Sequence, residues 1–245
     1  MGRAVTTWET FPASGEVGDW WCASDMLFVG YDSVRDDVTA VARRLRLRLP
    51  ELAPNVPPDL LTIDGASVRD VGPPYEELYL VGHSLGGLVI RYALADAAQD
   101  WLDRREAGDD NARSVLLDAR VRLFSPASAG FSAAGTLGII RATPIWTAIN
   151  MYVRRSSAYT DLQPESSLLA DTRRRTERLV AAHRDELGAL RPAILWANPD
   201  DVVLTQRYDS DPVDDHIDNR THQSVCKPTS EFTAPWRFVE TGRLR

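Results

Sequence analysis

The chain has 245 residues, 44% of them hydrophobic, and a formal net charge of −7. That length suits one large domain or two small ones with a sizeable core, and the acidic balance argues against nucleic acid, whose phosphates call for clustered Lys and Arg. Two cysteines, Cys22 and Cys226, make no disulfide framework and point to a reducing compartment; no apolar run has the length of a membrane span and no secretory signal precedes the first charged residues, so a soluble cytoplasmic protein is expected.

After a Trp-rich opening, "DMLFVGYDS" contains the apolar run Met26 to Val29, bounded by Gly30 and Asp32. It reads as a strand buried on both faces. Val34, Val38, Val41, Leu45 and Leu49 then fall at helical spacing, with Asp32 or Ser33 as the cap. The Pro-rich "LAPNVPPDL" is a loop. Leu78 to Val81 is a second buried strand, Gly82 to Gly87 a sharp turn, and Leu88 to Leu102 a helix with a broad apolar face. A third strand lies near Val121 to Phe124. The stretch from Phe131 to Thr160 is irregular but carries apolar clusters, and is expected to form a cap-like insert over residues 131–160. A charged amphipathic helix starts near Ser166, and "PAILWANPDDVV" supplies a fourth strand ending at two aspartates. Uniformly apolar strands alternating with helices predict a single α/β domain, residues 1–245, around a mostly parallel sheet.

The chemistry concentrates in "LYLVGHSLGGLVIRY", where Gly82, Ser84 and Gly86 satisfy G-x-S-x-G between a strand and a helix. A strand turning at once into a helix forces Ser84 into a strained conformation and requires tiny neighbours. The hydroxyl then projects above the sheet, and the backbone N–H of Leu85, free at the helix N-terminus, points to where an oxyanion would form. A Gly-rich turn that merely packs helix on strand is the bland alternative.

Serine is a poor nucleophile without a base, and the base needs an orienting acid. On folds of this kind the chain order is Ser, acid, His. Of the four histidines, His83 sits inside the turn and His183 on the charged helix, which leaves His216 and His222. The acid is expected just past the late strand, at Asp200 or Asp201. The acidic stretch "SDPVDDHIDN" around His216 lacks the ligand spacing of a metal loop and reads as solvated surface. No metal and no cofactor are expected.

"VGHSLGG" followed by "LVIRYAL" resembles the lipase and serine-esterase branch of the α/β-hydrolase superfamily. The resemblance extends through "FVGYDS", "LFSPASAG", "WANPDDVV" and "HQSVCKP", from Thr7 to about Ser230. It implies an α/β-hydrolase fold, with helices flanking the sheet. It also implies a triad of Ser84, Asp200 and His222: in that group an acid lies two residues before a Val-Val pair, and the histidine opens an H-x-S-x-C-K-P block. Asp200 is therefore placed ahead of Asp201.

The implied activity is hydrolysis of carboxylic esters, of small molecules or lipids, through an acyl-enzyme. The alternatives are acyl transfer on the same triad, or a catalytically impaired binding protein or truncated product that keeps the fold. The resemblance further implies a second oxyanion donor from an upstream His-Gly loop that this sequence does not contain. Met1 is accordingly expected to correspond to an internal position of that loop, leaving the strands near Met26 and Leu78 to pair directly or to present open edges.

Overall fold

The computed structural model describes residues 20, 23–31, 36–52, 62–63, 66–67, 74–109, 113–130, 163–164, 166–212 and 214–244. The expected insert at 131–160, the opening segment resembling an oxyanion loop, and Cys22 lie outside these residues; Cys226 is a free thiol. No described helix is long and apolar enough to cross a membrane.

In chain order the elements are α1 (Val38–Leu52), a small hairpin of β1 (Thr62–Ile63) and β2 (Ala66–Ser67), β3 (Tyr79–His83), α2 (Leu85–Glu106), β4 (Arg120–Phe124), α3 (Ser167–Ala182), β5 (Ala193–Asn198), β6 (Asp215–Asp218) and α4 (Ala234–Thr241). Strands β3, β4, β5 and β6 form a sheet in that order, every pair parallel. Parallel neighbours need crossovers, so helices must lie on the faces of the sheet.

Alternation along the strands explains why their apolar side chains face both ways. Leu80, Val121, Leu123, Ile194 and Trp196 pack with α1, α2 and α3. Phe124, Leu195 and Ala197 face the other way, onto Val225 and onto Phe238 and Val239 of α4. Helix α2 is buried on most of its circumference, from Gly87 to Leu102, which accounts for its broad apolar face. Helix α3 is two-sided: Leu169, Thr172, Thr176, Leu179 and Val180 are buried. Its cap is Ser166, as the sequence predicts, accepting the Leu169 N–H at 3.3 Å.

Several boundaries differ from expectation. Helix α1 begins later than Val34, because Asp37 is the residue that caps it: its Oδ1 accepts the Ala40 N–H at 2.7 Å. Helix α2 begins at Leu85, directly after the serine, without an intervening loop. Met26 to Val29 forms no strand; Leu27, Phe28 and Val29 are 39%, 45% and 59% exposed. Nor does this run pair with β3, which ends the described sheet with Val81 44% exposed. An apolar run states a preference for burial, whereas a strand also needs a neighbour that supplies its ladder.

The small hairpin of β1 and β2, strand β6 and helix α4 went unpredicted. The acidic stretch around His216 is not simply solvated surface: residues 215–218 pair with β5 as the last strand of the described sheet, Trp196 opposite His216. Helix α4 carries Pro235 in its first turn and closes on Gly242, the order of signals expected of a short helix. Arg122, buried under it, donates from Nε to the Val239 carbonyl at 3.0 Å.

One buried ion pair braces the region after β5. Arg91 of α2 donates from both terminal nitrogens to Asp211, at 3.0 and 2.6 Å. Both side chains are almost wholly inaccessible, and the guanidinium lies 4.0 Å from the centre of the Tyr208 ring. Burial pushes the Tyr208 hydroxyl up to about 12. The segment that carries the candidate acid is thereby tied to the helix that follows the candidate nucleophile.

Candidate active site

Ser84 occupies the single residue between β3 and α2, with φ 52° and ψ −121°. That conformation is costly for any residue with a Cβ and persists only where its surroundings impose it. Here they do. The Ser84 N–H extends the ladder to the Phe124 carbonyl at 3.1 Å, and its own carbonyl accepts the N–H groups of Gly87 and Ala127, each at 3.0 Å.

The tight approach rests on two glycines. A Cβ on Gly82 would come within 2.8 Å of Ile90 Cδ1 and 2.9 Å of the Gly87 nitrogen; one on Gly87 would come within 2.7 Å of Pro126 Cβ. Gly86, expected to be tiny for the same reason, is less constrained: the nearest atom to its added Cβ is the Tyr31 hydroxyl at 3.9 Å. The packing requirement therefore falls on Gly82 and Gly87.

A serine at a helix N-cap ordinarily spends its hydroxyl on the helix. Ser84 does not; its side chain makes no capping bond. Leu85 follows as the first residue of α2, where backbone N–H groups lack intrahelical acceptors and the helix dipole favours negative charge.

The other two expected residues meet directly. His222 Nδ1 donates to Asp200 Oδ2 at 3.0 Å, with side-chain exposures of 5% and 0%. A carboxylate acceptor places the proton on Nδ1 and leaves Nε2 with a lone pair. Asp200 Oδ1 is held in turn by the N–H groups of Val202 at 3.0 Å and Val203 at 3.1 Å, both valines being buried. Asp201 is exposed, and the histidine contact goes to its neighbour.

Burial by itself raises the Asp200 carboxyl. The hydrogen bond and charge of His222, the Ser125 hydroxyl and the Val203 N–H outweigh that cost and hold the group below its ordinary value.

Ser84 and His222 are not joined by a hydrogen bond; such contacts are often loose before substrate binds. They are linked through His83, the residue preceding Ser84, whose Nε2 donates to the His222 carbonyl at 2.7 Å. The two imidazole rings lie 4.7 Å apart. His183 is remote from this cluster, paired with Glu186 at 3.1 Å; His216 is on β6, 3.4 Å from Asp214.

Ser125 is the residue that sequence reasoning missed. It directly follows β4 at φ 39°, fully buried, donates its N–H to the Leu195 carbonyl at 2.9 Å, and accepts the Ala197 N–H on Oγ at 3.1 Å. Its hydroxyl is one of the groups that hold the Asp200 carboxyl below its ordinary value. The signal was present in "LFSPAS", a polar residue closing an apolar strand.

Among the described residues no group of three or more His, Cys, Asp or Glu side chains is placed to hold a metal ion. The arrangement offers an unspent, strained hydroxyl at a helix N-terminus and a nearby imidazole whose tautomer is set by a buried carboxylate. A family model described as "Alpha/beta hydrolase family" matches residues 10–240. Comparison with curated proteins and with solved structures gives no match.

Proposed function

Because the chain belongs to the α/β hydrolase family, we propose that it is a serine hydrolase of carboxylic esters, working through Ser84, His222 and Asp200. The observation that carries this reading is the buried His222–Asp200 contact at 3.0 Å, tied through His83 to the elbow at Ser84. Ser84 Oγ attacks the ester carbonyl while His222 Nε2 takes its proton. Asp200 holds the imidazole in the required tautomer and stabilises the imidazolium. Negative charge on the carbonyl oxygen falls beside the Leu85 N–H and the N-terminus of α2.

The imidazolium then returns the proton to the departing alkoxide, leaving an acyl-enzyme. A water deprotonated by His222 attacks that intermediate and releases the acid. The substrate is a small-molecule or lipid ester, and the chemistry asks for no cofactor. With two cysteines in 245 residues, the cytoplasm is the proposed setting.

Labelling with a fluorophosphonate, which phosphonylates an activated serine, is the direct test. The wild-type chain is expected to label and Ser84→Ala to be inert. Folded wild-type protein that resists the probe, or labelling that persists in Ser84→Ala, overturns the reading.

A further inference from the structure

We infer that His83 is a positioning residue for the base of this reaction, acting through the main chain of His222; the inference rests on the esterase reading above. His83 ends β3, paired with Phe124 of β4, and its side chain lies on the face of the sheet shared with Tyr79 rather than the one shared with Leu80. On that face lies the turn that carries His222. The turn is compact: the N–H groups of Ser224 and Val225 return to the Thr221 carbonyl at 3.0 Å each, and Lys227 N–H returns to Ser224. Val225 seats it in the core.

His83 grips this turn at His222 itself. Its Nε2–H donates to the His222 carbonyl at 2.7 Å.

The hydrogen bond to Asp200 fixes the rotation of the His222 ring, but it cannot fix where the ring's backbone sits. That second constraint is what the carbonyl contact supplies. His83 is covalently next to Ser84, so nucleophile and base are registered against each other through a single imidazole. Misplacing a catalytic group by about 1 Å costs on the order of 100-fold in rate. A main-chain tether at the base, anchored one residue from the nucleophile, is the arrangement that prevents such drift.

A histidine here could instead matter only as a flat ring packed on His222 at 4.7 Å. The two roles respond oppositely to substitution. His83→Gln keeps an N–H donor at the reach of Nε2 and discards the ring; His83→Phe keeps the ring and discards the donor. The full-length variants are assayed for kcat and KM on p-nitrophenyl butyrate. The low-field proton resonance of the His222 Nδ1–H is followed by NMR, and a thermal melt reports folding.

His83→Phe is expected to lower kcat roughly 10- to 100-fold, with KM within about twofold of wild type. It should also broaden or shift the resonance, and His83→Gln should recover most of both. Should the Phe variant not fold, His83→Asn, whose amide stops short of the carbonyl, takes its place. Activity kept by Phe and lost by Gln overturns the inference in favour of ring packing.

Wild-type protein that neither labels nor hydrolyses esters would instead overturn the esterase reading. The resonance then decides by itself: perturbed in Phe and normal in Gln supports the tether, and unchanged in both refutes it.

Discussion

Replacing Asp200 with Asn alters almost no volume and reverses one hydrogen bond. In the wild-type chain Asp200 Oδ1 accepts the N–H groups of Val202 and Val203, while Oδ2 accepts His222 Nδ1–H at 3.0 Å. In the variant the amide oxygen must stay with the two backbone donors, since an NH2 there would face N–H groups. The amide nitrogen is thereby turned to His222, where it donates, so Nδ1 must accept and the ring proton moves to Nε2. An Nε2–H imidazole cannot take a proton from Ser84. The expected loss in kcat is ~10⁴-fold, equivalent to about 5.5 kcal/mol of transition-state stabilisation. KM should change little, because the carboxylate does not touch substrate. Asp201→Asn, one residue away on the exposed side, is expected to keep kcat within about twofold. Steady-state hydrolysis of a chromogenic ester by the two variants measures both. Asp200→Asn retaining more than about a tenth of wild-type kcat, or Asp201→Asn showing the larger loss, would refute the tautomer argument.

Acid should erase a defined part of the stability. The folded-state pKa of Asp200 is lowered, so its stabilisation is fully present above the unfolded value, near 3.8, and is lost as pH falls through the lower folded value. The stability gap between wild type and Asp200→Asn, from urea melts at falling pH, should narrow below that point; a gap independent of pH contradicts it. Gly82→Ala would drive a Cβ against Ile90 and the Gly87 backbone and should cost ~1–3 kcal/mol together with fluorophosphonate labelling. Gly86→Ala meets only the Tyr31 hydroxyl at 3.9 Å and should be neutral or add up to about 1 kcal/mol; equal effects of the two in chemical denaturation would dismiss the packing account of the elbow. Arg91→Met strands the buried Asp211 carboxylate and should lower unfolding free energy by about 3–5 kcal/mol, a loss under about 1 kcal/mol marking the pair as dispensable.

How much of this was legible beforehand depended on how local each feature is. The elbow was, because its signal is local: apolar strand, Gly82, Ser84 and helix follow one another directly. The sheet and its flanking helices were legible for a related reason. Strands covered on both faces carry apolar residues facing both ways, as Val121, Leu123 and Phe124 of β4 and Ile194, Leu195 and Trp196 of β5 do. Strand β6 hid because its "DHID" is half exposed and short, leaving no pattern that separates an edge strand from an acidic loop. Met26 to Val29 misled for the opposite reason, having a strand's composition without a strand's neighbour.

The sequence by itself determined the parallel α/β architecture, the site of the strained serine and the short list of candidate acids and bases. Tertiary structure alone decided that His222 meets Asp200 and not Asp201, that Ser125 supports the carboxylate, that Arg91 on an apolar helix finds Asp211, and that His83 reaches the His222 carbonyl. The His222–Asp200, Arg91–Asp211 and His83–His222 contacts are each about 3 Å between residues far apart in the chain. Periodicity and turn chemistry record what a residue's immediate neighbours require. The direction of a carboxylate one position along, or the partner of a buried guanidinium, is set only when separate elements are packed against each other.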